Sequence, residues 1–436
     1  MSDQKPAAAT SIHQSAEAQK RLKGRRRRES GFRLLGISAV VAALSALVWL
    51  MVSIVGTGYT AFYQHHMNIE VSLDEGVLDP TGARARDDLR KANYRRIVQT
   101  ALYNQFPDVT ERRARQDLFK LVSASGATDI VRQMVYQDPS LVGQTITVRV
   151  PTSDDVDQLL KGYIDRDVAE DRRKVSDQQI GWIDTLVASG AIKARFNWTF
   201  FTATDSRDPE LAGIAGAVVG SFMALLVVFL VAVPIGIGAA VYLEEFAPEN
   251  LFTDIVEINI NNLAAVPSII FGLLGLAVFL NFFGMPRSAP LVGGLVLALM
   301  TLPTIIIATR AALRAVSPSI VDGALSLGAS KTQAVFHHKV PLAAPGILTG
   351  TIIGIAQALG ETAPLLMIGM VAFVTEIPTS VTEPASALPV QIFLWADSAE
   401  RAWAERTSAA IIALLVVLVS MNALAIFLRS KLEKRW

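Results

Sequence analysis

The sequence predicts an all-α polytopic membrane protein with six transmembrane helices and a mixed α/β soluble domain inserted after the first. Three observations carry this. Of 436 residues, 51% are hydrophobic and only 18% charged, against about 25% charged in soluble proteins. The charge clusters at the N-terminus, between Gln64 and Asp208, and in short later loops. Between these clusters lie runs of about twenty apolar residues, enough to cross a bilayer. The net charge of +1 averages over both sides of a membrane and says nothing about partners. The absence of cysteine excludes disulfides, thiolate metal sites and cysteine nucleophiles.

Residues 1–33 form a basic tail ending in Lys20, Arg21, Lys23 and Arg25 to Arg28. Leu34 to Val55 follows, an apolar run too long and too far from Met1 for a signal peptide. It reads as a retained transmembrane helix within 34–60. The basic run then puts the N-terminus in the cytoplasm. With an apolar helix directly after it, this run reads as a topology signal and not as a nucleic-acid site.

Residues 61–208 turn polar. Ala92 to Gln105 and Glu111 to Ala124 carry helical spacing, and Thr145 to Val150 alternates like a strand. Ala194 to Phe201 suggests another strand. This stretch is large enough for its own core and follows one outward crossing, so the expectation is a periplasmic domain. Five apolar segments fill 209–428: Leu211 to Tyr242, Leu263 to Phe283, Leu291 to Leu313, Gly346 to Val374 and Ser408 to Leu428. Six crossings leave both termini cytoplasmic. The basic end, 429–436, with Arg429, Lys431, Lys434 and Arg435, agrees. The acidic loop from Glu244 to Asp254 does not support that rule, to which acidic residues contribute little.

The loop between the fourth and fifth helices runs from Asp322 to Pro341. Gly323, Ala324, Gly328 and Ala329 are small, and Val335, Phe336 and Val340 mark a second amphipathic stretch. The pattern reads as helix, glycine turn, helix, with Pro341 as the stop. Small side chains let a partner approach closely. There is no Gly-x-x-x-x-Gly-Lys-Ser/Thr phosphate loop, so any nucleotide is handled by another chain. Neither a nucleophile–base pair nor a metal cluster is legible, which argues against an enzyme. His65–His66 and His337–His338 are adjacent pairs whose neighbours would diverge on a helix, so no metal site is expected.

Glu361 falls inside an apolar segment, where an acid costs about 2.5–3.5 kcal/mol on insertion scales. Such a group pairs with a base, holds a gate, or together with Thr362 caps a broken helix. Arg310 is a candidate partner, as is a residue of another subunit. Asn259, Asn261 and Asn262 precede Pro267; they either line a pathway or satisfy freed carbonyls.

Asp322, Gly323, Ala324, Gly328 and Pro341 resemble the EAA loop of type I ABC importer permeases, with Asp for Glu and Gly for the first Ala. Pro234 to Ala247, Asn262 to Ser268, Gly360 to Leu365 and Leu388 to Trp395 are similar to the PstA branch, the phosphate permeases. The long insert fits a subgroup of that branch. The resemblance implies the family's helix arrangement and an inner-membrane location. It also implies a second homologous permease, two ATPase subunits that use ATP and Mg, and an extracytoplasmic phosphate-binding protein. No cofactor on this chain is implied. An Arg common three residues before the Gly-Glu is Gln357 here, which departs from the pattern. Another oxyanion or small solute as cargo, or a sensor role for the insert, are the competing readings.

Overall fold

The computed structural model describes residues 16–80, 82 and 84–432. Most of the N-terminal tail before Ala16, and Lys434 and Arg435 of the basic end, lie outside the described residues. The chain divides into two compact units, Met1–Gly56 and Thr57–Trp436. The described residues of the first belong to one helix, α1 (Ala16–Gly58). Most of its large apolar side chains, among them Leu34, Val41, Val48 and Trp49, are exposed. A helix apolar all round is built for lipid or for another chain.

The second unit begins with the insert. Strand β1 (Tyr63–Ser72) is central in a three-stranded antiparallel sheet, between β2 (Thr145–Pro151) and β3 (Ile192–Phe196). Met67, Ile69 and Val71 alternate inward and are fully buried, the period-two pattern of a half-covered sheet. They pack with residues of helices α2 (Tyr94–Gln105), α3 (Arg112–Phe119), α4 (Ala124–Gln137), α5 (Asp154–Leu160) and α6 (Asp177–Ala188). Side-chain caps start several of these: Asn93 for α2, Ser123 for α4, and a full capping box at Ser176 for α6. Each satisfies amides that the helix leaves unpaired.

Several expectations are corrected here. The helix expected over Glu111 to Ala124 stops at Phe119, and Val122 bridges to Thr152. The strand expected over Ala194 to Phe201 ends at Phe196. The Asn197 side chain then accepts from the Phe200 amide and starts a short helix, α7 (Trp198–Thr202). His65 and His66 lie on strand β1 and not on a helix, so they face opposite sides of the sheet.

Four long apolar helices follow: α8 (Ala215–Val241), α11 (Pro290–Arg314), α14 (Val340–Gly360) and α17 (Arg401–Leu432), the last preceded by the short helix α16 (Leu388–Ala396). The segment expected to cross as one helix, Leu263 to Phe283, is instead broken. Helix α9 (Leu251–Ala264) and helix α10 (Ser268–Gly275), the latter extended by a π turn to Phe282, meet at 103°. Pro267 causes this, since its ring excludes a continuous helix through it. With α1, the chain has five helices long and apolar enough to cross a membrane among the described residues, or six if the bent pair counts as one. Helix α8 packs on α11, α11 on α14, and α14 on α17. Gly220 lies against Ser386 and Gly236 against Ile305, leaving no room for a Cβ, while Gly238 faces open space.

Candidate functional site

The loop from Asp322 to Pro341 is built from two caps. Helix α12 (Pro318–Ser326) begins with proline at its first turn, where no amide partner is lost. It ends in a Schellman turn. Ala329 N donates to Ala324 O (3.1 Å), Gly328 N donates to Leu325 O (3.0 Å), and Gly328 sits at φ +90°. That conformation strains any residue with a Cβ. One residue on, Ser330 and Gln333 form a capping box that starts helix α13 (Lys331–Ala334). The expected stop at Pro341 does not occur. A π turn over Val335–Lys339 joins α13 to α14. The widened turn takes up the amide that Pro341 lacks.

No residue of α12 is buried. Leu325 and Leu327 project outward, Leu327 being 91% exposed. A side chain added at Gly323 would meet nothing within the chain, so packing inside this protein does not demand a small residue there. The second limb is anchored. Ala334 and Val335 are fully buried, and Val335 packs in a cluster with Val241, Leu313, Val316, Ala343 and Ile347. Phe336 stacks on Phe246 (6.5 Å), and Lys331 lies over the same ring. Lys339 Nζ is 2.5 Å from Glu245 Oε1.

Arg310 does not reach Glu361. Its Nε donates to Glu244 Oε2 (3.1 Å) and its Nη2 to Glu257 Oε1 (2.5 Å), while Arg314 Nε donates to Glu244 Oε1 (2.8 Å). Arg310, Arg314 and Lys339 with three glutamates (244, 245 and 257) thus tie together the loop, the end of α8, α9 and α11. The glutamates were legible only as an acidic loop that broke the charge rule. The signal was the adjacent Glu244–Glu245 pair directly after an apolar helix, facing basic residues on a later one.

Glu361 sits at the end of α14, in extended backbone, and not within a helix. Pro364 cannot donate to the Gly360 carbonyl, so the helix breaks there. Helix α15 (Ala363–Met367) restarts it, with Thr362 at the cap position but making no side-chain cap bond. Glu361 is half-buried, and among the described residues its carboxylate has no ion-pair partner. Gln357, one turn earlier, is exposed. Helix α10 packs against α15, where Gly272 meets Pro364 so closely that a Cβ would lie 2.7 Å from its Cα. Asn259 bonds to its own helix at Ile255 O (2.7 Å), which accounts for it without a pathway, and Asn261 and Asn262 are exposed. His65 Nδ1 is 2.8 Å from Asp157 Oδ1. Among the described residues no group of three His, Cys, Asp or Glu is arranged to hold a metal.

Residues 232–436 match the family described as binding-protein-dependent transport system inner membrane component, and residues 19–170 match a domain of unknown function, DUF3333. The probable ABC transporter permease protein YqgI of Bacillus subtilis is 30% identical over 49% of this chain and 76% of its own length. The phosphate transport system permease protein PstA of Xylella fastidiosa is 30% identical over 57% of this chain and 85% of its own. The PstA of Mycobacterium leprae is 29% identical over 55% and 79%. A chain of the MetNI methionine ABC transporter aligns at 16% identity over 49% of this chain and 95% of its own, with a TM-score of 0.40, too low to add weight. The relatives are transport subunits and not catalysts; with two of them matched at 30% identity over most of their lengths, this membrane-embedded chain belongs to the family of ABC transporter inner-membrane permeases.

Proposed function

We propose that the chain is a permease subunit of an ATP-driven importer of inorganic phosphate, driven through its 322–341 loop. The observation that carries this is the exposed α12 knob. Its Gly323 is small without internal cause, its apolar tips point outward, and its turn is fixed by Gly328. That is the shape of a surface made to be received by another protein. Phosphate as cargo is supported by the PstA relatives.

The geometry supports the following roles. Asp322, Gly323, Ala324, Gly328 and Ala329 form the face that enters an ATPase groove, with Pro341 at the root of the following helix. From Lys331 to Gly360 the chain is one continuous helical rod; α14 alone spans about 30 Å at 1.5 Å per residue. A displacement of the loop therefore arrives at the Glu361–Thr362 break at the rod's other end. Glu361, with Gln357 and the Asn261–Asn262 region, is the candidate gate or pathway lining. Arg310 acts as a tie within the loop corner, holding α11 to α8 and α9.

The exposed apolar face of α9, with Leu251, Phe252, Ile255 and Ile258, suits a second homologous permease. Two ATPase subunits, which use ATP and Mg, complete the machine on the cytoplasmic side. A phosphate-binding protein delivers cargo on the insert side. The domain plan is the basic tail 1–33, first helix 34–60, periplasmic insert 61–208, permease core 209–428 and tail 429–436, in the inner membrane with both termini cytoplasmic.

Replacing Gly328 by Val tests the coupling assignment. A β-branched residue at φ +90° breaks the turn but touches no apolar span. Membrane insertion should be unchanged and co-purification of the ATPase lost. Full co-purification would remove the loop from the docking role.

A further inference from the structure

The large hydrophobic side chains of the insert are inside, with few exceptions, until the chain nears the apolar helices. There, four aromatics surface together: Tyr59 (54% exposed), Phe196 (51%), Trp198 (68%) and Phe201 (38%). They are ordered. Phe62, Phe201 and Phe196 form a stack of nearly parallel rings, 5.8 Å apart at each step, and Trp198 meets Phe196 edge-on at 4.9 Å. The local sequence explains the arrangement. Strand β3 ends at Phe196, and the Asn197 cap turns α7 so that Phe200 faces inward while Trp198 and Phe201 stay outside.

The height of this patch is fixed by what lies beneath it. Phe200 is fully buried in a cluster with Ala61, Ala217, Trp403, Ala409 and Ala410. Ala217 is in the first turn of α8. Ala409 lies eight residues into α17, about 12 Å at 1.5 Å per residue. Gly58 packs on Ser408 and Ala409 at the same level. The exposed rings therefore sit beside the insert-side ends of helices long and apolar enough to cross a membrane. Lys193 and Arg195, both exposed on edge strand β3, alternate with Phe196 and project from the other face of the strand, so the patch itself is purely aromatic.

We infer that this aromatic patch is a membrane anchor: its rings seat in the headgroup layer of the bilayer on the insert side. Trp198, with an apolar ring and a polar N–H, suits that layer, and the stacked Phe196 and Phe201 extend its apolar surface toward the acyl chains. Continuity of the rings with the ends of the apolar helices, through the buried Phe200 cluster and the Gly58–Ala409 contact, selects lipid as the occupant over a second protein. The insert is thereby held down on the bilayer beside the outer mouth, in addition to its covalent attachments.

The chain has no cysteine, so single nitroxide labels can be introduced without removing native residues. Trp198→Cys and Phe196→Cys would be labelled in the assembled transporter in lipid nanodiscs, with Arg132→Cys on α4 as a water-facing reference. Power saturation compares collisions with oxygen, which concentrates in lipid, and with a nickel chelate, which stays in water. The inference expects positions 198 and 196 to be severalfold less accessible to the chelate than position 132 and more accessible to oxygen. Equal chelate access at all three positions would place the patch in water and overturn it. Exclusion of both reagents at 198 and 196 would mean a protein contact and would overturn it too. If a labelled variant fails to insert, brominated lipid decides in its place. Unsubstituted protein should lose more tryptophan fluorescence than Trp198→Phe, and equal loss contradicts the anchor.

Discussion

Glu210 closes the insert against the membrane helices and is 6% exposed. Burial pushes its carboxyl up to about 7; the Ser123 hydroxyl opposes this, and Asp154 and Asp208 add to it. Asp154 is pushed up to about 6 by burial first and by Asp155 next. Both share a small cavity with Asp157, Gln158, Glu405 and Arg406. Because the folded value lies above the ordinary 4.5, Glu210's contribution is complete below pH 4.5. It is lost as pH rises through about 7. At 1.36 kcal/mol per unit the loss is about 3 kcal/mol. Glu210→Gln keeps the shape and removes the proton. Thermal melts of the purified chain from pH 5 to 8 should fall less steeply for the variant, and an unchanged slope would show that Glu210 does not titrate there. None of this was legible beforehand. Glu210 is an ordinary loop acid until folding brings α5 and α17 around it. Arg310 and Glu361 stood out as charges in apolar runs, but their surroundings depend on contacts far apart in sequence, and the guess that paired them was wrong for that reason.

At the scale of elements, local chemistry was read well and long-range consequence poorly. The Gly328 turn follows from residues within a few positions of it, so its place and conformation were legible. Pro341 was read as a stop because a π turn has no sequence signature of its own; the helix runs on through it. The third apolar segment carries hydropathy enough for one crossing, yet Pro267 bends it by 103°. In the insert, strand β1 carries period-two alternation at Met67, Ile69 and Val71, but Gln64, His65 and His66 make its first half polar, and the strand was missed. The ion pair between Lys339 and Glu245 joins the loop to the end of α8. Lys339→Met should leave ATPase co-purification intact while lowering transport per ATP hydrolysed, because the tie and not the docking face is lost. An unchanged ratio in reconstituted vesicles would leave the tie a purely structural one.

Across the whole molecule, the apolar frame was legible because a bilayer imposes length and composition on every span. Its interior arrangement was not, since helices pack through small residues and broken segments whose partners hydropathy does not name. In the proposed reading the loop couples the chain to its energy source, while the cargo rests on relatives whose names include phosphate. The central claim is that this chain completes an ATP-driven phosphate importer. The most direct measurement is uptake of labelled phosphate into vesicles carrying the full assembly with ATP inside, with and without this chain. The account predicts ATP-dependent phosphate uptake that disappears when the chain is omitted. Uptake of sulfate or molybdate with none of phosphate would contradict it.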